Sequence, residues 1–496
     1  MAGRTRGICV TLAFAILCAL PCGAAASSRQ FSILQDDATL TGAGPHDAES
    51  AMAEAKALGV DMVRAFVGWR RVSPRPDDQT IPAGFDVANP DSPGYDWSAY
   101  DGFVERARRR GLKVFLTLAP PIPNWASEQP RRCPHRVGGY SNLGRSCMWK
   151  PDPALFGRFA RAVARRYRGK VHLYSIWNEP NLEHYLHPQL QRTRYGIVDL
   201  AAKRYRELWW AGWRAIAAED PAMRKKVLFG ETAAISSPMD TLYAAFCLDE
   251  RGRPFKGRLK ALHGCKRPRR MPIGGVAHHP YTDGARGTLF QRTNQVDALF
   301  TAYVGRLSRL MGRAARLGRI PRNLGIYLTE AGFQSNPPDR REGLSLSRHA
   351  KAVNDAERLF FGDPRVRSVA QYTLYDVAAV DQYNTGLRRA DGRAKPALGA
   401  YRMPLVVTRL SRDRVEVWGQ VRPASGRVGA EIELLPRSGR QVRQTIRVTT
   451  NASGYFRLKL RRRDASRLRY RTRWRTVFGD RTSRVARPGP RIRYFD

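Results

Sequence analysis

Val171-His172-Leu173-Tyr174-Ser175-Ile176-Trp177-Asn178-Glu179-Pro180-Asn181 is an apolar, β-prone run that stops abruptly at a carboxylate flanked by an amide and a proline. The pattern predicts a buried strand that delivers Glu179 to its C-terminal end. In enzymes built on a parallel barrel, chemistry collects at that end of the strands. Working outward, the same grammar repeats. Strands are predicted over 31–35, 60–67, 113–118, 171–177, 227–230, 275–278, 324–328 and 368–374. Helices are predicted between them over 47–58, 97–110, 153–167, 198–218, 239–247, 295–317 and 346–361, with a short one at 396–401. Eight strands alternating with helices imply an α/β chain whose parallel strands close into a (β/α)₈ TIM barrel. No strand is followed by a glycine-rich phosphate loop, which removes the main nucleotide-binding reading.

At Met403-Pro404 the grammar changes to short alternating runs such as Arg414-Val415-Glu416-Val417-Trp418 and Tyr455-Phe456-Arg457-Leu458-Lys459-Leu460, separated by Gly, Ser and Asn. These predict a small all-β module, an immunoglobulin-like sandwich over 405–496, after a barrel domain over 27–404. Thr449 to Phe456 resembles a turn-and-strand pattern of bacterial immunoglobulin-like and prealbumin-like modules. No cluster of spare aromatics marks it as a sugar platform, so a spacer or accessory role is expected.

The first 26 residues have a basic start at Arg4 and Arg6, an apolar run from Ile8 to Leu20 and a small-residue end at Ala24-Ala25-Ala26, the pattern of a signal peptide. The apolar run is shorter than the ~20 residues that span a bilayer. Export leaves four cysteines in an oxidising compartment: Cys133, Cys147, Cys247 and Cys265. Three connectivities are open; the locally simplest joins Cys133 to Cys147 and Cys247 to Cys265. No C-x-x-C spacing suggests a metal site, and no metal or cofactor is expected. The 496 residues carry 86 Lys and Arg against 43 Asp and Glu, a formal charge of +43. The excess is arginine spread over the whole length, so no specific nucleic acid is expected as partner. Affinity for anionic polymers is the more useful consequence. The expected protein is a secreted monomer, off the membrane once its signal is cleaved, with a carbohydrate partner that includes anionic polysaccharides among its candidates.

A second carboxylate ends a later strand, in Gly325-Ile326-Tyr327-Leu328-Thr329-Glu330-Ala331-Gly332. The fourth and seventh strands of a closed barrel face each other across its mouth, so Glu179 and Glu330 can oppose one another. Two facing carboxylates are the minimal equipment for breaking an acetal. Glu231, at the end of the fifth strand, is a third carboxylate, set beside the fourth strand rather than opposite it.

Trp177-Asn178-Glu179-Pro180-Asn181 and Thr329-Glu330-Ala331-Gly332, in this order, resemble the retaining glycoside hydrolases of the (β/α)₈ clan that includes cellulase-like family 5 and family 39. The resemblance covers about 30 to 402 and extends to Thr385-Gly386-Leu387, Asp391-Gly392 and Lys395-Pro396-Ala397. It implies that Glu179 is the acid/base and Glu330 the nucleophile, and that Asn178 binds the sugar 2-hydroxyl. It further implies that Arg64 lies beneath the nucleophile, with His279 and Tyr281 lining the cleft; His278 is adjacent and stays open for the histidine's place. Trp69, Trp125 and Trp149 lie in or near strand-end loops where an indole can stack on a sugar, with simple packing as the alternative for each; Trp125 and Trp177 are taken as candidate substrate contacts. Tyr372 and Tyr375 stand where family 5 usually has a tryptophan, which points toward the family 39 end of the clan. The implied activity is O-glycosyl hydrolysis of β-linked sugars by double displacement. The competing reading is an inactive wall- or polysaccharide-binding protein on the same barrel.

Overall fold

The computed structural model describes residues 29–134, 146–282, 289, 292–377, 383–424 and 426–495. The expected signal peptide lies outside the described residues. Eight parallel strands, numbered here in chain order, close into a barrel: β1 Phe31–Gln35, β2 Met62–Gly68, β3 Lys113–Ala119, β4 Leu173–Ile176, β5 Val227–Thr232, β6 Val276–His278, β7 Ile326–Leu328 and β8 Val366–Tyr372. β1 closes the ring by pairing with both β2 and β8.

Strand alternation sorts the barrel interior into layers. Each strand sends one side chain into an apolar floor: Ile33, Met62, Phe115, Leu173, Leu228, Ala277, Tyr327 and Ala370. Two residues further along the first four strands, the inward positions become Gln35, Arg64, Thr117 and Ser175, all buried. They form a polar storey above a dry floor. The outward residues, among them Leu34, Val63, Leu116, Tyr174 and Phe229, pack against the helices in the main core.

Several features depart from the sequence expectation, among them a short helix, Gly257–Leu262, in a stretch read as a loop. The helix predicted from 295 begins only at Gly305 and runs to Arg316. The residues before it are held as a loop, because Arg306 Nη1 ties down the carbonyls of Gln295, Val296 and Ala298. An exposed hairpin, Leu190–Thr193 with Gly196–Asp199, also follows β4, where no strand was predicted. Disulfides join Cys133 to Cys147 and Cys247 to Cys265. No helix among the described residues is long and apolar enough to cross a membrane.

The chain after the barrel forms two antiparallel sheets around a shared core that includes Val407, Val417, Ile432, Leu434, Phe456 and Tyr470. One is three-stranded: Leu405–Arg409, Arg414–Gln420 and Tyr455–Arg461. The other is four-stranded: Gln444–Thr449, Gly429–Leu435, Arg469–Thr476 and Gly479–Thr482. This β region docks on the barrel helix Leu346–Phe361, whose Phe361 packs with Val406, Trp418 and Tyr455. Arg422 makes two bonds to Glu357 across the seam, each 3.1 Å. Gly59 fits the seam for two reasons. Its φ is +79°, and a Cβ there would sit 2.7 Å from the Cβ of Arg422.

Candidate active site

Arg64 is the hub of the barrel mouth. It is fully buried on β2, and its guanidinium reaches groups from four other strands or strand ends. Nη2 donates to Glu231 Oε2 at 2.9 Å and Nη1 to Glu330 Oε1 at 3.0 Å. Nη1 also bonds Gln35 Oε1, while Nε donates to Thr117 Oγ1 at 3.0 Å. His279, just past β6, makes a second bridge. Its Nδ1 is 2.9 Å from Glu179 Oε1 and its Nε2 is 2.8 Å from Glu231 Oε2, with Glu330 Oε1 at 3.8 Å. Tyr281 donates its hydroxyl to Glu330 Oε2 at 3.0 Å.

These contacts separate the three glutamates. Glu231 has no side-chain exposure and its Oε2 receives Arg64, His279 and the Thr329 hydroxyl, the last at 2.6 Å. Burial alone pushes its pKa up, but Arg64 and His279 outweigh burial and hold the carboxyl down at about 2. It is a permanent anion that positions two cations. Glu179 and Glu330 keep 13% and 9% of their side-chain surface open, so only they among the three can meet a ligand. Burial raises the Glu179 carboxyl, and the bond to His279 pulls the other way without cancelling it. Burial opposes the charge on His279, yet the surrounding carboxylates outweigh it and lift the imidazole to about 10.

Local backbone makes this arrangement possible. Trp177, Glu179 and Glu231 have φ of +73°, +41° and +48°, a region non-glycine residues seldom enter. Glu179 N donates to Glu231 O at 2.8 Å, pinning the ends of β4 and β5 together. Gly230, just before Glu231, has φ +120°, and a Cβ there would lie 2.3 Å from the carbonyl oxygen of Ala277. No side chain fits there. The loop over 292–304 backs the His279-Tyr281 turn: Thr301 bonds Pro280 O, and Phe495, from the end of the β region, donates its N–H to Ala302 O at 2.8 Å.

The structure therefore gathers Glu179, Glu330, Arg64, His279 and Tyr281 into one network. His278 points elsewhere, bonding Thr232 Oγ1 and Leu299 O, and burial holds its pKa down at about 3. Asn178 is buried beside Glu179, and its Oδ1 has no partner among the described residues. Trp177, nominated as a sugar contact, is fully buried, packs on Phe156 and donates Nε1–H to Tyr185 O at 2.9 Å. The alternation that would aim it inward is broken by its own left-handed φ. Trp125 is 3% exposed and packs on Trp69 and Phe85, apart from the network. Sequence reasoning missed Gln35, Asp37 and Tyr383. Asp37 accepts from Phe66 N at 2.6 Å and Gln35 Nε2 at 2.7 Å, and burial lifts it to about 6 against those bonds. The signal was present, since the apolar strand Phe31–Leu34 ends in Gln35-Asp36-Asp37, a polar strand end like the other two. Tyr383 lies 5.1 Å from Tyr281, ring to ring, and Tyr281 meets Tyr372 edge-on, so the rim is tyrosine-lined.

Glu179, His279 and Glu330 each offer a ligand atom, and all three lie within 4.8 Å of one another. As a metal trio they fit poorly. Both ring nitrogens of His279 face carboxylate oxygens, which calls for two N–H groups, whereas a ligating imidazole needs one bare nitrogen.

No protein-family model matches the chain, and no curated protein matches it. A glucosidase from Croceicoccus marinus superposes with a TM-score of 0.51 at 12% identity, over 88% of this chain and 94% of that one. The two share a fold. A GH5_18 protein from Streptomyces cattleya, solved in complex with GlcNAc, aligns at TM-score 0.43 and 18% identity, over 75% of this chain and 79% of that chain. Beta-glucuronidase 2 from Bacteroides uniformis aligns at 0.42 and 10%, over 93% of this chain, which spans about half of that longer protein, 46%.

Proposed function

We propose that this chain is a secreted retaining glycoside hydrolase acting on β-linked O-glycosidic bonds of an oligo- or polysaccharide. One observation carries the reading: the facing oxygens of Glu179 and Glu330 lie within 4.8 Å. That closeness supports the ~5–5.5 Å of a double-displacement pair over the ~6.5–9.5 Å of an inverting pair. In the first step a Glu330 oxygen forms a bond to the anomeric carbon as the bond to the leaving oxygen breaks, and the Glu179 proton passes to that oxygen. In the second step Glu179 takes a proton from water, whose oxygen replaces Glu330 at the same carbon. Configuration is retained. Arg64 and Tyr281 each donate to a different Glu330 oxygen, so they orient the nucleophile and stabilise it as it departs. The unpartnered Oδ1 of Asn178 is an acceptor for the sugar 2-hydroxyl. The β region is read as an immunoglobulin-like accessory or spacer module, and the two disulfides suit an exported protein.

The test is trapping with a 2-deoxy-2-fluoro glycoside, chosen after a screen of β-linked glycans with Glu179→Gln as control. Mass spectrometry should place the label on Glu330. A label on Glu231, or products of inverted configuration, would refute the assignment.

A further inference from the structure

A second basic feature lies on the outer wall of the barrel, toward the N-terminal ends of the strands and away from Glu179 and Glu330. A cavity of about 340 Å³ opens there. Helix Leu200–Glu219 contributes Arg206, Trp210 and Arg214 to it, spaced four apart and so on one face. The segment before β6 adds Arg267 and Arg269, and the turn before β7 adds Arg319. Five arginines from three distant segments converge, and among the described residues no carboxylate lines the cavity.

The wall is a built one. The Cys247–Cys265 disulfide covalently fixes its rim. Arg206 bridges two sides, donating to Ala244 O at 3.2 Å and Ala245 O at 3.3 Å and also to His263 O. Arg319 Nε is buried with no acceptor among the described residues. Arg214 lies 5.5 Å over the half-buried ring of Trp210. Like charges gathered around one cavity repel, and an anion relieves that cost. Planar guanidinium groups match carboxylate and phosphate oxygens, while an indole offers a flat apolar face to a ring.

We propose that this cavity is a binding site for an acidic sugar unit of a polysaccharide, separate from the cleft. Its size lies at the lower end of small-ligand pockets. A nucleic acid calls instead for an open basic groove with several stacking aromatics; the aromatics lining this cavity are Trp210 and the buried Phe246. The site does not depend on the hydrolase reading, since it would hold an acidic chain whether or not the cleft cuts it.

Calorimetric titration of the full chain with oligogalacturonate, polyphosphate and a neutral cello-oligosaccharide, at ~150 mM salt, tests this. The expected result is that oligogalacturonate binds and the neutral sugar does not compete. Arg267→Ser with Arg269→Ser, both exposed positions, should weaken oligogalacturonate roughly tenfold. Arg168→Ser with Arg440→Ser, which removes the same charge elsewhere, should weaken it less than about twofold. Trp210→Ala should weaken oligogalacturonate and leave polyphosphate unchanged. Equal losses in the two arginine pairs would reduce the effect to net charge and overturn the proposal. Binding untouched by the pocket pair would place the ligand in the cleft and overturn it too. Polyphosphate binding tighter than oligogalacturonate, with no response to Trp210→Ala, would replace the sugar with a phosphate or nucleic-acid ligand.

Discussion

Two buried arginines, one at the barrel mouth and one at the seam with the β region, each meet a buried glutamate, with opposite outcomes. At the mouth, Glu231 faces both Arg64 and His279 and is held down at about 2. At the seam, Glu357 faces Arg422 alone; burial dominates and raises its carboxyl. The lesson is that one cation does not repay the desolvation of a buried carboxylate, whereas two cations with an added hydroxyl donor do. The seam pair serves as a fastener, while at the mouth two cations hold several carboxylates together.

The largest break in this contrast is Arg64→Met. It strands Glu231 and Glu330 in the barrel and should cost about 3–5 kcal/mol of stability, read from chemical denaturation, together with loss of hydrolysis. Next is Glu179→Gln, which should lower hydrolysis by roughly 10²–10⁴-fold without unfolding the chain. The loss should shrink on substrates whose leaving group needs no proton. Arg422→Met should cost less than Arg64→Met, about 1–3 kcal/mol, because Glu357 can accept a proton; kcat should stay at the wild-type value. Tyr281→Phe removes one donor from Glu330 and should cost about 1 kcal/mol in the barrier, roughly fivefold in kcat.

The two regions should also separate by pH. Glu231 has a depressed pKa, so its contribution is complete above its unfolded value near 4.5 and lost only as pH falls through about 2. His279 has a raised one, so its contribution is complete below about 6.5 and lost as pH rises through about 10. Denaturation midpoints should therefore keep a constant gap between wild type and Glu231→Gln from neutral pH down to about 4.5, closing toward 2. The gap to His279→Gln should instead close from 6.5 toward 10. Glu357 has the opposite sign to Glu231, and acidification relieves its burial. A gap for Glu231→Gln already closed at pH 4.5 would erase the distinction.

The barrel was legible because hydrophobic period and strand-end polarity are local properties. Glu179 and Glu330 each stand alone after an apolar run, and each was readable by itself. Glu231 was visible as a strand-end carboxylate, but its part as an anchor depends on Arg64, His279 and Thr329, which come from three other strands. Trp177 was misplaced because a single left-handed residue undoes the alternation on which the reading rests. The late start of the helix at Gly305 depends on a side chain, Arg306, capping carbonyls far enough upstream to keep them out of helical pairing.

The apolar floor of the barrel has a kinetic consequence. Eight side chains, one per strand, form the floor, so among the described residues the polar storey opens toward the mouth, where the proposed substrate and water would enter. In a two-step hydrolysis the incoming water must use the space the departing group has left. On the proposed mechanism, release of the first product would gate the second half of the cycle, and an acceptor that enters faster than water would leave with the sugar.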